Sequence, residues 1–170
     1  HRGMPLEYVN GRKYLKLKKS NIKPDVQANF WNGDPDIDAV CRMVLKPQCN
    51  FKKNKFPFFS NKISVFNSQN TLITRKVVKD YFLFPHIGRM DDIWASFYVT
   101  SKKYRIVYNE PTVYQQRNAH NLLKDFKDEY IGYANSSNLV ESLKKNPENI
   151  YNFLPKRSAL AFDEWKKLTR

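Results

Sequence analysis

Cysteine is nearly absent from this chain. Cys41 and Cys49 are its only two, and their spacing matches neither a CxxC redox motif nor a zinc knuckle, so both read as reduced, structural thiols. Long apolar runs are absent too. None approaches the roughly 20 residues that cross a bilayer, which excludes a transmembrane segment. The start lacks the layout of a secretory signal, and His1 in place of Met reads as a tag remnant or as a piece of a longer chain. No internal repeat and no low-complexity block occurs. Acidic residues are the minority, 16 Asp and Glu against 30 Lys and Arg.

What is present describes a folded domain. The 170 residues are 41% hydrophobic and 15% aromatic, enough for one core without disulfides or metals. A mean hydropathy of -0.68 does not bring the chain into the disordered class, because aromatic content is high. The net charge of +14 makes a polyanion the first partner to consider: nucleic acid, an anionic membrane surface or a phosphorylated small molecule. The basic clusters at Arg12, Lys13, Lys16, Lys18 and Lys19, at Lys52, Lys53 and Lys55, and at Lys166, Lys167 and Arg170 are scattered. A solvated surface accounts for most of them.

Periodicity predicts the elements. Asn10-Gly11 between two β-prone stretches reads as the turn of a hairpin over residues 6–19. Ile37, Val40, Cys41 and Val44, preceded by an Asp that can cap free amides, predict a short helix over 38–45. The aromatic, proline-bearing stretch 46–62 reads as a loop that buries Phe51, Phe56, Phe58 and Phe59. Residues 63–66 read as a buried strand, 74–82 as a helix, and 105–109 as a strand. A longer helix starts at Asp91 or Asp92 with Ile93, Trp94, Phe97 and Tyr98 as its apolar stripe. The tail from Ser137 is helical, with Asn146-Pro147-Glu148 capping one segment and a last helix over 158–168. Together these predict an α/β or α+β fold.

Three polar constellations can carry chemistry. Asp34, Asp36 and Asp38 alternate; an EF-hand is excluded because its sixth and twelfth places are Ala39 and Leu45. A D-x-D clamp on a divalent ion, or a turn with a helix cap, remains. In Gly88-Arg89-Met90-Asp91-Asp92, one carboxylate can cap a helix while the other projects as a base that deprotonates a hydroxyl. In residues 115–121, Arg117 can pair with a phosphate and His120 can ligate a metal or serve as a hydrogen-bonded structural residue. The amides of Asn67, Gln69 and Asn70 either close a turn or bind sugar hydroxyls.

Taken in order, the runs from Phe30 to Ala39, from Phe66 to Thr71, from Asp91 to Ser96 and from Gln116 to Phe126 resemble the STELLO-type glycosyltransferases. More distantly they are similar to the reversibly glycosylated polypeptides, the UDP-arabinopyranose mutases, which share the P-D-x-D-A and G-R-x-D-D-x-W-A stretches. The resemblance implies an α/β, GT-A-like fold acting on a nucleoside-diphosphate sugar with Mn²⁺ or Mg²⁺, and a carbohydrate or protein acceptor. It covers the C-terminal, acceptor-side part of such an enzyme. Residues 1–134 would belong to that part and 135–170 to a helical extension. The nucleotide-binding half and its metal clamp would lie in a missing N-terminal half. Asp92 is then expected as base and Asp91 as its neighbour in sugar contact. Trp31, Asp36, Asp38, Asn67, Gln69, Asn70, Arg89, Trp94 and Arg117 are expected to bind substrate, and His120 to be the late metal ligand. The expected compartment is the cytoplasm, or the Golgi lumen by the resemblance. The alternative is a basic, aromatic-rich nucleic-acid-binding domain in which Trp31 and other rings stack on bases.

Overall fold

The computed structural model describes residues 2–9, 18–19, 22–52, 56–60 and 62–169. A five-stranded sheet runs in the order β1-β3-β5-β2-β4. Its centre is a parallel pair, β2 (Val26–Gly33) and β5 (Ile106–Gln115). The flanking strands β1 (Lys18–Lys19), β3 (Phe58–Ser60) and β4 (Thr71–Ile73) are short and join antiparallel. Only the central pair is long, and β2 is buried or half-buried along its whole length, as a parallel strand covered on both faces must be. The register runs from Val26 opposite Ile106 to Gly33 opposite Gln115, and shifts between Asn29 and Trp31. Pro111 lies at that shift, where a missing backbone donor does least harm to the ladder.

Six α-helices accompany the sheet among the described residues: α1 (Leu6–Val9), α2 (Ala39–Val44), α3 (Arg75–Val78), α4 (Asp91–Ser101), α5 (Leu122–Lys145) and α6 (Lys156–Leu168), with a 3-10 turn at Pro147–Asn152 before α6. A second 3-10 turn, Gly88–Met90, leads into α4. Helix α4 is buried on all sides from Asp92 to Thr100 rather than along one stripe. Val99 packs against Val26, Ala28, Ile106 and Tyr108 of the sheet. The opposite side, with Trp94, Phe97 and Tyr98, packs against Leu139 and Leu143 of α5 and Phe162 of α6. The molecule is thus an α/β arrangement with a mixed sheet, a central helix and a helical tail.

Several expectations need correction. Residues 6–9 form one helical turn instead of a strand, and the Asn10-Gly11 turn lies outside the described residues. Residues 63–66 pair with no strand. Val65 and Phe66 are buried, Ile63 and Ser64 half-buried, and side chains hold the segment: the Ser64 amide donates to Thr100 Oγ1 at 3.4 Å, and the Tyr108 hydroxyl donates to the Val65 carbonyl at 2.7 Å. The strand lies later, at Thr71–Ile73, and α3 stops at Val78. Within the aromatic loop, Phe58–Ser60 is a short strand, and Phe30, Phe51, Phe56 and Phe58 form one ring cluster beside Tyr108. Helix α5 begins at Leu122, earlier than the tail from Ser137, and runs unbroken past residue 134.

Candidate functional site

Both central strands end at one edge of the sheet, and glycine fixes how they leave it. Gly33 has φ +92, and a Cβ there would lie 2.3 Å from the Gln115 carbonyl. Without that atom the chains stay in contact, the Asp34 amide donating to Gln115 O at 2.9 Å. The loop carrying Asp34, Asp36 and Asp38 after β2 is therefore fixed against the loop carrying Arg117 and His120 after β5. Gly88, at φ +59, plays a similar part under α5: a Cβ would lie 2.1 Å from the Asp128 carbonyl. That close approach places Arg89, Asp91 and Asp92 beside the same edge.

The centre of the site is a buried charge network. Asp36, 2% exposed, accepts from Arg2 Nε at 3.1 Å, Arg117 Nη2 at 2.6 Å and Asn67 Nδ2 at 3.2 Å. Arg2 Nη2 donates to Asp92 Oδ1 at 2.9 Å, and Arg2 Nη1 donates to the Arg89 carbonyl. One guanidinium thus joins the two carboxylates, which holds them within about 9 Å of each other. The other oxygen of Asp92 accepts from the Ser68 amide at 3.0 Å and the Ser68 hydroxyl at 3.2 Å. Both oxygens of this buried carboxylate are occupied. Asp91 Oδ1 accepts from the Asp92 amide at 2.9 Å, so Asp91 serves the first turn of α4.

The ionisation of these acids diverges with their partners. Burial would raise the pKa of Asp36, but the charges of Arg2 and then Arg117 outweigh it and hold the carboxyl below its ordinary range. Asp38 is pushed up by burial, a shift that the Gly3 amide opposes and Glu129 reinforces. Asp91 is also pushed up, by burial first and by Asp92 in addition. Asp38 was expected to cap α2. It stands at the N-cap position but makes no side-chain cap bond, and accepts instead from the Gly3 amide at 2.7 Å.

A second carboxylate row lies behind the first. Glu129, fully buried on α5, accepts from Ala39 N at 2.8 Å and the Tyr133 hydroxyl at 2.5 Å, and from Arg89 Nε at 3.0 Å. It supplies the acceptor at the start of α2 that Asp38 does not. Arg89 Nη1 also reaches Asp125 at 3.1 Å, and Asp125 Oδ2 lies 2.9 Å from His120 Nδ1. His120 Nε2 lies 3.4 Å from Arg117 Nη1. A guanidinium only donates, so the neutral ring takes the tautomer with its proton on Nδ1, directed to Asp125. The Nε2 lone pair then faces Arg117. No group of three or more His, Cys, Asp or Glu able to hold an ion occurs among the described residues. The residues here do not fit the divalent ion that the resemblance implies.

The remaining expected site residues divide. Asn67 joins the network, donating also to Gln69 Oε1 at 3.4 Å. Asn70 ties strands together, donating to the Phe30 carbonyl and to Thr112 Oγ1, both at 2.9 Å. Gln69 is exposed at the turn. Trp31 is buried in β2, and Trp94 is fully buried in the helical core with Nε1 donating to Ser136 Oγ at 3.1 Å. Neither tryptophan faces solvent as a stacking surface. Two participants are not among the expected site residues, Arg2 and Glu129. Glu129 shares its helical phase with Gly132, Ser136 and Leu143, all buried; a carboxylate on a buried face is the sign that finds it.

Beside the network opens a cleft of about 440 Å³ between the end of α2 and the start of α5, lined by Asp34, Arg42, Lys46, Gln48, Asn118 and His120 among others. Arg42 is paired with Asp34 at 2.7 Å, and His120 with Asp125, so most of its charges are already balanced. The lining combines polar side chains with Pro47, Ala119 and Leu122 as apolar wall. No family model matches the chain, and no curated protein matches it. No helix among the described residues is long and apolar enough to cross a membrane.

Proposed function

We propose that the chain is the acceptor-side part of a GT-A-like glycosyltransferase, with a sugar acceptor entering the cleft at the carboxyl ends of β2 and β5. The observation that carries this reading is the meeting of four sequence runs, around Asp36, Asn67, Asp92 and Arg117, in one network at the edge where the parallel strands end. Open α/β sheets bind ligands outside the carboxyl ends of their strands. A cleft lined by amides, paired ions and the apolar side chains of Pro47, Ala119 and Leu122 suits hydroxyl-rich, uncharged ligands.

In this reading Asp92 is the base for the acceptor hydroxyl. Both oxygens of that carboxylate are engaged, Oδ1 by Arg2 and Oδ2 by the two Ser68 donors. Proton abstraction therefore requires Arg2 to release Asp92 Oδ1, leaving Ser68 to orient the carboxylate. Asp91 keeps the first turn of α4 in place, and Arg117 holds Asp36 and the loop after β5.

Nucleotide recognition falls to the half of the enzyme that the resemblance places upstream. Calorimetry of this chain with UDP and UDP-hexoses is expected to give dissociation constants of about 1 mM or weaker, about -4 kcal/mol. A constant near 1 μM, about -8 kcal/mol, would overturn the acceptor-side assignment by showing a complete donor site. The nucleic-acid reading has a separate signature, an affinity for oligonucleotides that falls steeply with salt.

A further inference from the structure

Six of the fourteen exposed large hydrophobics among the described residues belong to α2 and the first half of α5. The two segments lie side by side: Glu129 binds the Ala39 amide at one end, and Arg42, Lys46 and Leu122 meet around the cleft at the other. On α2, Val40, Met43 and Val44 recur at helical spacing, yet only Ala39 of that helix is buried. On α5, Leu123, Phe126 and Tyr130 fall within about 60° of helical phase. That stripe is turned away from the face that buries Glu129, Gly132 and Ser136.

The side chains project rather than line a groove. Val44 is 81% exposed, Leu123 76% and Tyr130 61%. Lys127 follows the stripe on its outer flank, and Lys46 stands at the end of α2; both are exposed. The nearby carboxylates are turned inward or paired: Asp34 with Arg42, Asp125 with Arg89 and His120, and Glu129 with Arg89. The face thus presents protruding apolar and aromatic tips between cations, on a chain of net charge +14. Protein interfaces are depleted of lysine and built on interlocking shape. A bilayer needs neither complement, only side chains that reach the acyl boundary and cations at headgroup level.

We infer that the α2–α5 face docks on an anionic membrane surface, with Val44, Leu123, Phe126 and Tyr130 entering the headgroup layer and Lys46 and Lys127 facing acidic lipid. The inference stands on the exposed face and does not depend on the sugar-transfer reading.

Co-sedimentation of the 170-residue chain with phosphatidylcholine vesicles, with and without about 30% phosphatidylserine, tests it. Binding at least about tenfold tighter to the anionic vesicles is expected. The Val44→Asp, Leu123→Asp double variant is expected to lose about tenfold or more of that binding with an unchanged circular dichroism spectrum, since both side chains are exposed. Lys46→Glu with Lys127→Glu is expected to weaken it too. A Tyr130→Trp variant, excited at the red edge to select the exposed indole, is expected to shift its emission to the blue on anionic vesicles alone. Binding that ignores Val44→Asp and Leu123→Asp would be charge attraction by the whole surface and overturns the inference. So do the absence of vesicle binding, self-association that Leu123→Asp abolishes, and oligonucleotide binding that depends on the same apolar residues.

Discussion

Replacing Asp36 by Asn removes one charge from the middle of the network and changes almost nothing in shape. Two guanidinium groups share that carboxylate, Arg2 and Arg117, whose side chains are only 9% and 10% exposed. Removing one partner of a buried pair costs about 3–5 kcal/mol, because the remaining ion stays out of water without compensation. Arg2 keeps Asp92 and the Arg89 carbonyl, while Arg117 keeps His120, its Nε having no partner among the described residues. The expected loss is therefore at the low end, about 3 kcal/mol at pH 7. Its pH dependence identifies the cause. The folded pKa of Asp36 lies below its unfolded value near 3.9, so its stabilisation is present above about pH 4 and disappears as the pH falls through the lowered folded value. The difference between the wild type and Asp36→Asn should hold constant from pH 7 to 5 and shrink below 4. Asp38, two residues on, has the opposite sign: its folded pKa is raised, so its contribution is complete below about pH 4 and lost as the pH rises through the folded value. Asp38→Asn should accordingly be closer to neutral at pH 7 than at pH 4. Urea denaturation followed by tryptophan fluorescence across this range measures both. A loss under about 1 kcal/mol for Asp36→Asn at pH 7, or a loss independent of pH, refutes the buried network.

Gly33→Ala should cost about 2 kcal/mol or more in thermal unfolding, since the Cβ meets the Gln115 carbonyl at positive φ. Trp94→Phe should destabilise without altering any ligand affinity, because the ring is core and its Nε1 serves Ser136; a changed saccharide affinity in titration would contradict this. In a protein that carries both halves of the enzyme, Asp92→Asn should keep the fold and lower transfer by about 10² to 10⁴. Asp91→Ala should mainly reduce stability, as the loss of a first-turn acceptor does; near wild-type turnover in Asp92→Asn would remove it as the base.

Much of the architecture is legible where local and tertiary signals agree. Helices α2 and α4 and the last helix follow from apolar spacing, and the meeting of Asp36, Asn67, Asp92 and Arg117 follows the order of the motifs. Residues 63–66 misread as a strand because β-branched and aromatic residues report burial as well as pairing. Here the burial is against Thr100 and Tyr108, and the backbone is satisfied by their side chains. Thr71–Ile73 is not legible in the sequence because an edge strand of three residues is too short to display a period-two pattern. Arg2 has no local signal: its role exists only once three loops converge, and one arginine among 30 basic residues cannot be told apart. Trp94 was drawn toward the site by its place beside Asp92, although a helix buried on every side sends alternate residues into different surroundings.

The central claim is that the edge where β2 and β5 end receives a sugar, and the most direct measurement is a nitrogen-15 NMR titration of the chain with neutral oligosaccharides. The account expects amides of residues 34–36, 67–69 and 118–122 to shift together along one saturating curve, with a dissociation constant in the millimolar range, about -4 kcal/mol. The absence of shifts in these three loops at millimolar saccharide, with oligonucleotides instead perturbing lysine-bearing surfaces in a salt-dependent way, would contradict it.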